Sequence, residues 1–171
     1  MEDFVAIGKT QKPHGLKGEL KLHVEEMFIE DLFEAEAVFI EIKGNKMPYF
    51  IEELQEGNSI ILKLEDVNDR TAAEFVAHKE VFMRRSDISL TDREILSGGM
   101  VYKFTEGFLL VEVDAGKIGI VEEIISLPQQ EMALVRYKNK LIYIPMQALF
   151  IIEIDESEKK ILMDLPLGIL D

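Results

Sequence analysis

From Glu19 to Glu25 the chain alternates without a break, with Leu20, Leu22 and Val24 apolar and Glu19, Lys21, His23 and Glu25 polar. A period of two with one apolar face predicts a half-buried β-strand. Pro13, Gly15 and Gly18 stand ahead of it. Proline fixes φ and glycine tolerates positive φ, so a tight turn is expected there. That turn is either a structural corner or a presented, positively charged loop carrying Lys12, His14 and Lys17. Phe4–Gln11 reads as a preceding strand. Met27–Phe33, with Phe28, Leu32 and Phe33 among acids, reads as a short helical turn or a loop packed by its aromatics. Ala37–Ile42 and Pro48–Leu54 are strand-like and joined by Lys43-Gly44-Asn45-Lys46, a hairpin signal. Ser59–Leu64 and Glu80–Arg84 are further strands, the latter with Val81 and Met83 opposed to Phe82 and Arg84. Between them Thr71-x-x-Glu74 fits a capping box, with Asn68 or Asp69 as alternative caps. It places Ala72, Phe75 and Val76 on one helical face, and so short a helix must pack on the sheet.

Period two disappears from Ser86 to Gly99, which is polar and ends in a glycine pair. A linker is expected over 89–98, with one helical turn at Thr91–Leu96, between domains at 1–88 and 99–171. The second half is almost all strand: Phe108–Val113, Ile118–Ile125, Glu131–Tyr137, Leu141–Ile144, Phe150–Ile154 and Ile161–Met163. Six short strands at near-regular spacing predict a small antiparallel barrel, whose closure protects strand edges. The fold class expected is therefore all-β, two small β-barrels joined by a linker.

Composition narrows the function classes. The 171 residues include no cysteine, which excludes disulfides, thiolate metal sites and a cysteine nucleophile. The start Met1-Glu2-Asp3-Phe4 lacks the basic start and the apolar core of about 7–15 residues that mark a signal peptide. No run approaches the roughly 18 apolar residues of a membrane span, and a cytoplasmic location without membrane contact is expected. Net charge is −14, with 11 Lys and Arg against 19 Asp and Glu through residue 90 and 8 against 14 beyond it. Nucleic-acid binders draw most of their affinity from a basic face. An acidic chain is better matched to a basic protein partner, though acid also serves solubility alone.

The chemistry-bearing residues are few. The three histidines, at 14, 23 and 78, lack the spacing of a zinc enzyme. His23 with Glu25, or His14 with Glu19, is a candidate base and orienter for a small hydrolase or isomerase, a role that geometry must establish. No nucleophile elbow, Walker loop or dinucleotide fingerprint is present. Asp155-Glu156-Ser157-Glu158 lacks the ligand spacing of a calcium loop. No catalytic residue, metal or cofactor is expected. Tyr102 and Phe104, ahead of the first strand of the second half, are candidate interface anchors.

Three elements, in order, carry a resemblance. They are His14-Gly15-Leu16-Lys17-Gly18-Glu19-Leu20-Lys21; then Asp66-Val67-Asn68-Asp69-Arg70-Thr71-Ala72-Ala73-Glu74; and finally Gly107-Phe108 with Gly116-Lys117-Ile118-Gly119-Ile120-Val121, Ile144-Pro145 and Pro166-Leu167-Gly168-Ile169-Leu170. Over essentially its whole length the chain resembles the RimM family of bacterial ribosome maturation factors. The resemblance implies an N-terminal barrel similar to the second domain of translation elongation factors and a C-terminal PRC barrel. It implies a non-enzymatic assembly factor that binds ribosomal protein uS19 and assists maturation of the 30S head and 16S rRNA processing. The family's tyrosine pair at the start of the PRC domain falls on Val101 and Tyr102, so one tyrosine is absent here. Val101, Tyr102 and Phe104 are the residues it points to for partner docking. Lys12, His14, Lys17 and Lys21 are candidate contacts to rRNA in the immature 30S subunit, as a basic patch on an acidic body. A monomer is expected. A PRC-type scaffold for some other protein is the alternative, and the His-Gly-Leu-Lys-Gly element favours the two-domain family.

Overall fold

The computed structural model describes residues 2–171, and the chain divides into two compact units, 1–89 and 90–171. In the first, β1 (Phe4–His14), β2 (Glu19–Val24), β3 (Ala37–Ile42), β4 (Asn45–Gln55), β5 (Ile60–Leu64) and β6 (Glu80–Arg84) close into a barrel in the order β1-β2-β5-β4-β3-β6. The alternation in β2 sends Leu20, Leu22 and Val24 inward, where they meet Ile7, Ile40, Leu62, Leu64, Val81 and Met83. Burying such side chains contributes about 1.5–3 kcal/mol each. Phe28 and Leu32 enter the same core from a 3-10 turn at Glu26–Phe28 and α1 (Ile29–Glu34).

The structure selects among the caps offered for α2, shifts its buried face, and adds a buried residue to β6. The helix α2 (Arg70–Phe75) is capped by Asp69, whose Oδ1 accepts from Ala72 N at 2.7 Å, and Thr71 lies inside it. The apolar frame moves with the cap. Ala73, Val76 and Ala77 are buried, and Phe75 is 61% exposed. On β6, Phe82 faces away from Val81 and Met83 and is buried all the same. Lys46 Nζ lies 4.6 Å from its ring centre, while Arg84 lies over Phe39 at 5.0 Å and Phe4 stacks on Phe39 at 4.6 Å. Cations and rings thus cover one outer stripe of the barrel.

The second unit begins with α3 (Asp92–Leu96). Thr91 and Glu94 form a full capping box at its start, and Gly98 and Gly99 adopt positive φ after it. Then follow β7 (Leu109–Glu112), β8 (Gly116–Leu127), β9 (Gln130–Tyr137), β10 (Lys140–Pro145), β11 (Ile151–Asp155) and β12 (Lys160–Met163). Their order is β10-β9-β8-β7-β12-β11. All pairings are antiparallel except one: β12 runs parallel to β7, because the β11–β12 hairpin returns the chain beside it. The long β8 pairs with β7 over Gly116–Ile120 and with β9 over Val121–Leu127, with a bulge at the switch. A bulge bends a strand, so one strand serves both parts of the curved sheet. Leu110, Val121, Ile124, Val135, Ile144 and Ile161 fill the core.

Candidate binding surfaces

The first surface is the hairpin joining β1 to β2. Pro13 lacks a donor, and the register slips between Thr10 and Pro13, so β1 continues past the proline through a bulge to pair His14 with Glu19. Gly15 and Gly18 turn the chain at φ +74° and +91°. Gly18 has a second reason to be glycine: a Cβ there would lie 2.0 Å from Val67 O. Arg70 Nη1 donates to Gly15 O at 3.1 Å, tying the turn to the start of α2. The hairpin presents Lys12, His14 and Lys17 fully to solvent, with Leu16 77% exposed between them and Lys21 half-buried on β2. Among the described residues none of the four cationic candidates has a carboxylate partner. Arg70, by contrast, is paired with Glu74 at 3.5 Å.

The second surface is the segment Met100–Glu106 of the C-terminal unit. Glu131, at the start of β9, accepts from Val101 N at 3.0 Å and Tyr102 N at 3.1 Å. Thr105, fully buried, donates through Oγ1 to Tyr102 O at 2.7 Å. Tyr102 is therefore held from both sides. Its phenol is pushed above the ordinary tyrosine range by burial and by the nearby Glu131 carboxylate. Phe104 meets Phe108 edge to face at 6.0 Å, and the Arg93 guanidinium lies 4.2 Å from its ring centre. Arg93 is fixed in turn by two 3.2 Å bonds to Glu156. Of the three docking candidates Val101 is the most open, at 42%, and Tyr102 and Phe104 pack half-buried against the core. Below them Lys103 pairs with Glu106, whose carboxylate also accepts from Ile124 N at 2.9 Å. Burial pushes the Glu106 carboxyl up, and the Ile124 amide and Lys103 together outweigh it, so it sits below its ordinary value.

The structure carries His14, Lys17 and Lys21 on one hairpin, and Val101, Tyr102 and Phe104 on one short segment. Sequence reading missed Glu131, Arg93 and Arg70, which orient these surfaces. Glu131 lies 29 positions from Tyr102, and nothing local in the sequence marks the contact. His14 and His23 are both exposed, and no group of three or more His, Asp or Glu among the described residues is placed to hold a metal ion. No helix among them is long and apolar enough to cross a membrane.

Two all-β units, a closed six-stranded barrel and a bent six-stranded sheet, define a two-domain β-barrel protein with a presented hairpin on one unit and a pinned aromatic segment on the other. Residues 5–88 match the family model of the RimM N-terminal domain, and residues 102–169 match that of the RimM PRC barrel domain. The chain belongs to the RimM family. It is 30% identical over 172 residues to the ribosome maturation factor RimM of Parabacteroides distasonis, spanning 99% of this chain and 97% of that one. The RimM of Flavobacterium psychrophilum is also 30% identical, over 177 residues and the same shares. The solution structure of the N-terminal domain of RimM from Thermus thermophilus is 28% identical and covers 51% of this chain and 95% of its own, at a TM-score of 0.42.

Proposed function

We propose that this protein is a cytoplasmic, non-catalytic ribosome maturation factor that binds uS19 and assists maturation of the 30S head and processing of 16S rRNA. The observation that carries the reading is the match to both RimM domain models in order, within a full-length likeness to curated maturation factors. The protein works as a monomer without metal or cofactor. Val101, Tyr102 and Phe104 dock the protein partner, and Lys12, His14, Lys17 and Lys21 touch rRNA. Charge supports the division. The body at −14 attracts a basic ribosomal protein, while the unpaired hairpin cations are free to neutralise phosphate.

The test is a titration of the full chain against uS19 at low and moderate salt, beside Tyr102→Ala. Because Tyr102 N–H is held by Glu131, the substitution removes the ring and leaves the backbone clamp. Salt-sensitive binding that weakens about tenfold or more in the variant is the result expected of an aromatic anchor. Unchanged binding in the variant removes the docking assignment, and no binding by the unaltered protein removes uS19 as its direct partner.

A further inference from the structure

Beside the basic hairpin, the turn between β4 and β5, residues 56–59, forms the shared wall of two depressions. One, of about 290 Å³, is also lined by His14, Lys21 and Gln55. The other, of about 400 Å³, runs on to Gln11 and His23. Together they make a track along the barrel wall, bounded on its other side by β2. Its make-up stands apart from the rest of this chain. Only one carboxylate, Glu56, lies along it. The larger depression of the same unit, about 470 Å³, has Asp31, Glu34, Glu36 and Asp87 in its wall.

Gln55 donates through Nε2 to Glu53 at 2.9 Å, but the other polar side chains singled out along the track are uncommitted. His14, Lys21, His23, Asn58 and Ser59 make no side-chain hydrogen bond or ion pair with any other described residue. An amide and a hydroxyl on the 56–59 turn therefore face imidazole and ammonium groups of β1 and β2. The combination is what a nucleotide needs. Asn and Ser side chains hydrogen-bond base edges and ribose hydroxyls, imidazole rings stack on bases, and Lys answers the phosphate. Each depression lies at the small end of the range that holds small ligands, roughly 300–1,000 Å³. A base inside a duplex cannot reach such a recess, whereas an unpaired one can swing into it.

The geometry points to a binding track for single-stranded RNA on the N-terminal barrel: two consecutive unstacked nucleotides sit on either side of the 56–59 turn, with their phosphates on Lys21 and His14. The track extends the rRNA contact proposed for the basic hairpin and rests on that reading. It adds what the hairpin lacks, since lysines position a backbone and neutral polar groups distinguish what hangs from it. It also assigns roles to His23, Asn58 and Ser59.

The experiment is fluorescence anisotropy on the full chain with a labelled mixed-sequence RNA of about eight nucleotides, within the range of single-strand site sizes, and with a hairpin duplex of matching composition. Three variants are compared. His23→Glu with Asn58→Asp places charge in the track, Ser59→Asp does so independently, and Lys12→Glu with Lys17→Glu alters the hairpin alone. All five positions are exposed, and melting temperatures confirm folding. Expected are a preference for the single strand, a loss of about tenfold or more in both track variants from like-charge repulsion, and a salt slope lower by about 1.4 in the hairpin variant, at roughly 0.7 per phosphate. Track variants that bind like the parent while the hairpin variant weakens would overturn the track and leave the hairpin contact standing. Equal affinity for duplex and single strand also overturns the track. No binding to either RNA overturns both.

Discussion

Glu112 gives the sharpest test of how the C-terminal unit is held. It ends β7 with a side chain 5% exposed. Its Oε2 accepts from Asp114 N at 2.8 Å and Ala115 N at 2.7 Å, and Oε1 reaches Leu165 N at 3.5 Å. One carboxylate thus closes the β7–β8 turn and touches the chain beyond β12. The Ala115 amide holds its carboxyl below the ordinary glutamate value, against burial, with the Asp114 and Leu165 amides adding to the effect. Glu112→Gln keeps the shape and removes the charge. Hydrogen bonds to a charged acceptor contribute about 1.5–3 kcal/mol and neutral ones about 0.5–1.5. Two such exchanges therefore cost about 2–3 kcal/mol in all. At about 4–8 °C per kcal/mol for a unit of this size, the melting temperature at neutral pH falls by about 8–24 °C. A carboxyl whose folded pKa is depressed contributes stability that is full above the unfolded pKa, near 4.3, and is lost as pH falls through the folded pKa. The gap between parent and variant is then widest at neutral pH and closes in acid. Thermal melts of both proteins between about pH 7 and pH 3 measure it. A gap that is absent at neutral pH, or that stays constant into acid, refutes the reasoning.

Two further predictions concern the N-terminal barrel. Gly18→Ala costs more than Gly44→Ala, since both sit at positive φ but only a Cβ at 18 runs into a carbonyl. Denaturant midpoints should show about 1–2 kcal/mol for the backbone conformation at either site and a further loss at Gly18, and equal losses would contradict the close approach. Thr10 Oγ1 donates to Val76 O at 2.6 Å and accepts from Lys79 N at 2.9 Å. Thr10→Val leaves both groups without the hydroxyl, so urea unfolding should lose about 2–4 kcal/mol with little change in slope; a loss under about 0.5 kcal/mol would mean that water replaces the hydroxyl.

The strands were legible because period two survives wherever one face of a strand is wet. The β2 pattern Leu20, Leu22, Val24 is read directly as buried against exposed. Phe82 is buried on the outer face because its cover, Lys46, reaches over from β4, two strands away, and a long cationic side chain over a ring leaves no local signature. The cap of α2 was left open among three residues for a local reason. Asp69, Thr71 and Asn68 all have capping chemistry, and only the barrel's demand that Ala73 and Val76 face inward selects among them. The parallel pairing of β12 with β7 was out of reach, since strand patterning records which face is buried and not which neighbour is paired. At the candidate surfaces the presented residues were visible as charge in a glycine turn and as aromatics before a strand. Their supports, Arg70 and Glu131, belong to distant segments and emerge only from the folded chain.

The division of labour between arginine and lysine bears on what the barrel can recognise. All five arginines are engaged inside their own unit: Arg70 with Glu74, Arg84 with Glu2, Arg93 with Glu156, Arg136 with Glu122, and Arg85 with Ile88 O. Each guanidinium thus has an intramolecular partner, bidentate for Arg93 and through Nε for Arg84 and Arg136. The cations left over on the hairpin are Lys12, Lys17 and Lys21, compact point charges that suit phosphate and carry no base code. A chain at −14 does not attract RNA over its whole surface. The β1–β2 hairpin is a face where three lysines lack a carboxylate partner among the described residues, and the depression beside it has Glu56 as its one carboxylate. On the rRNA contact we propose, discrimination falls to His23, Asn58 and Ser59 beside the hairpin, and affinity falls to the lysines.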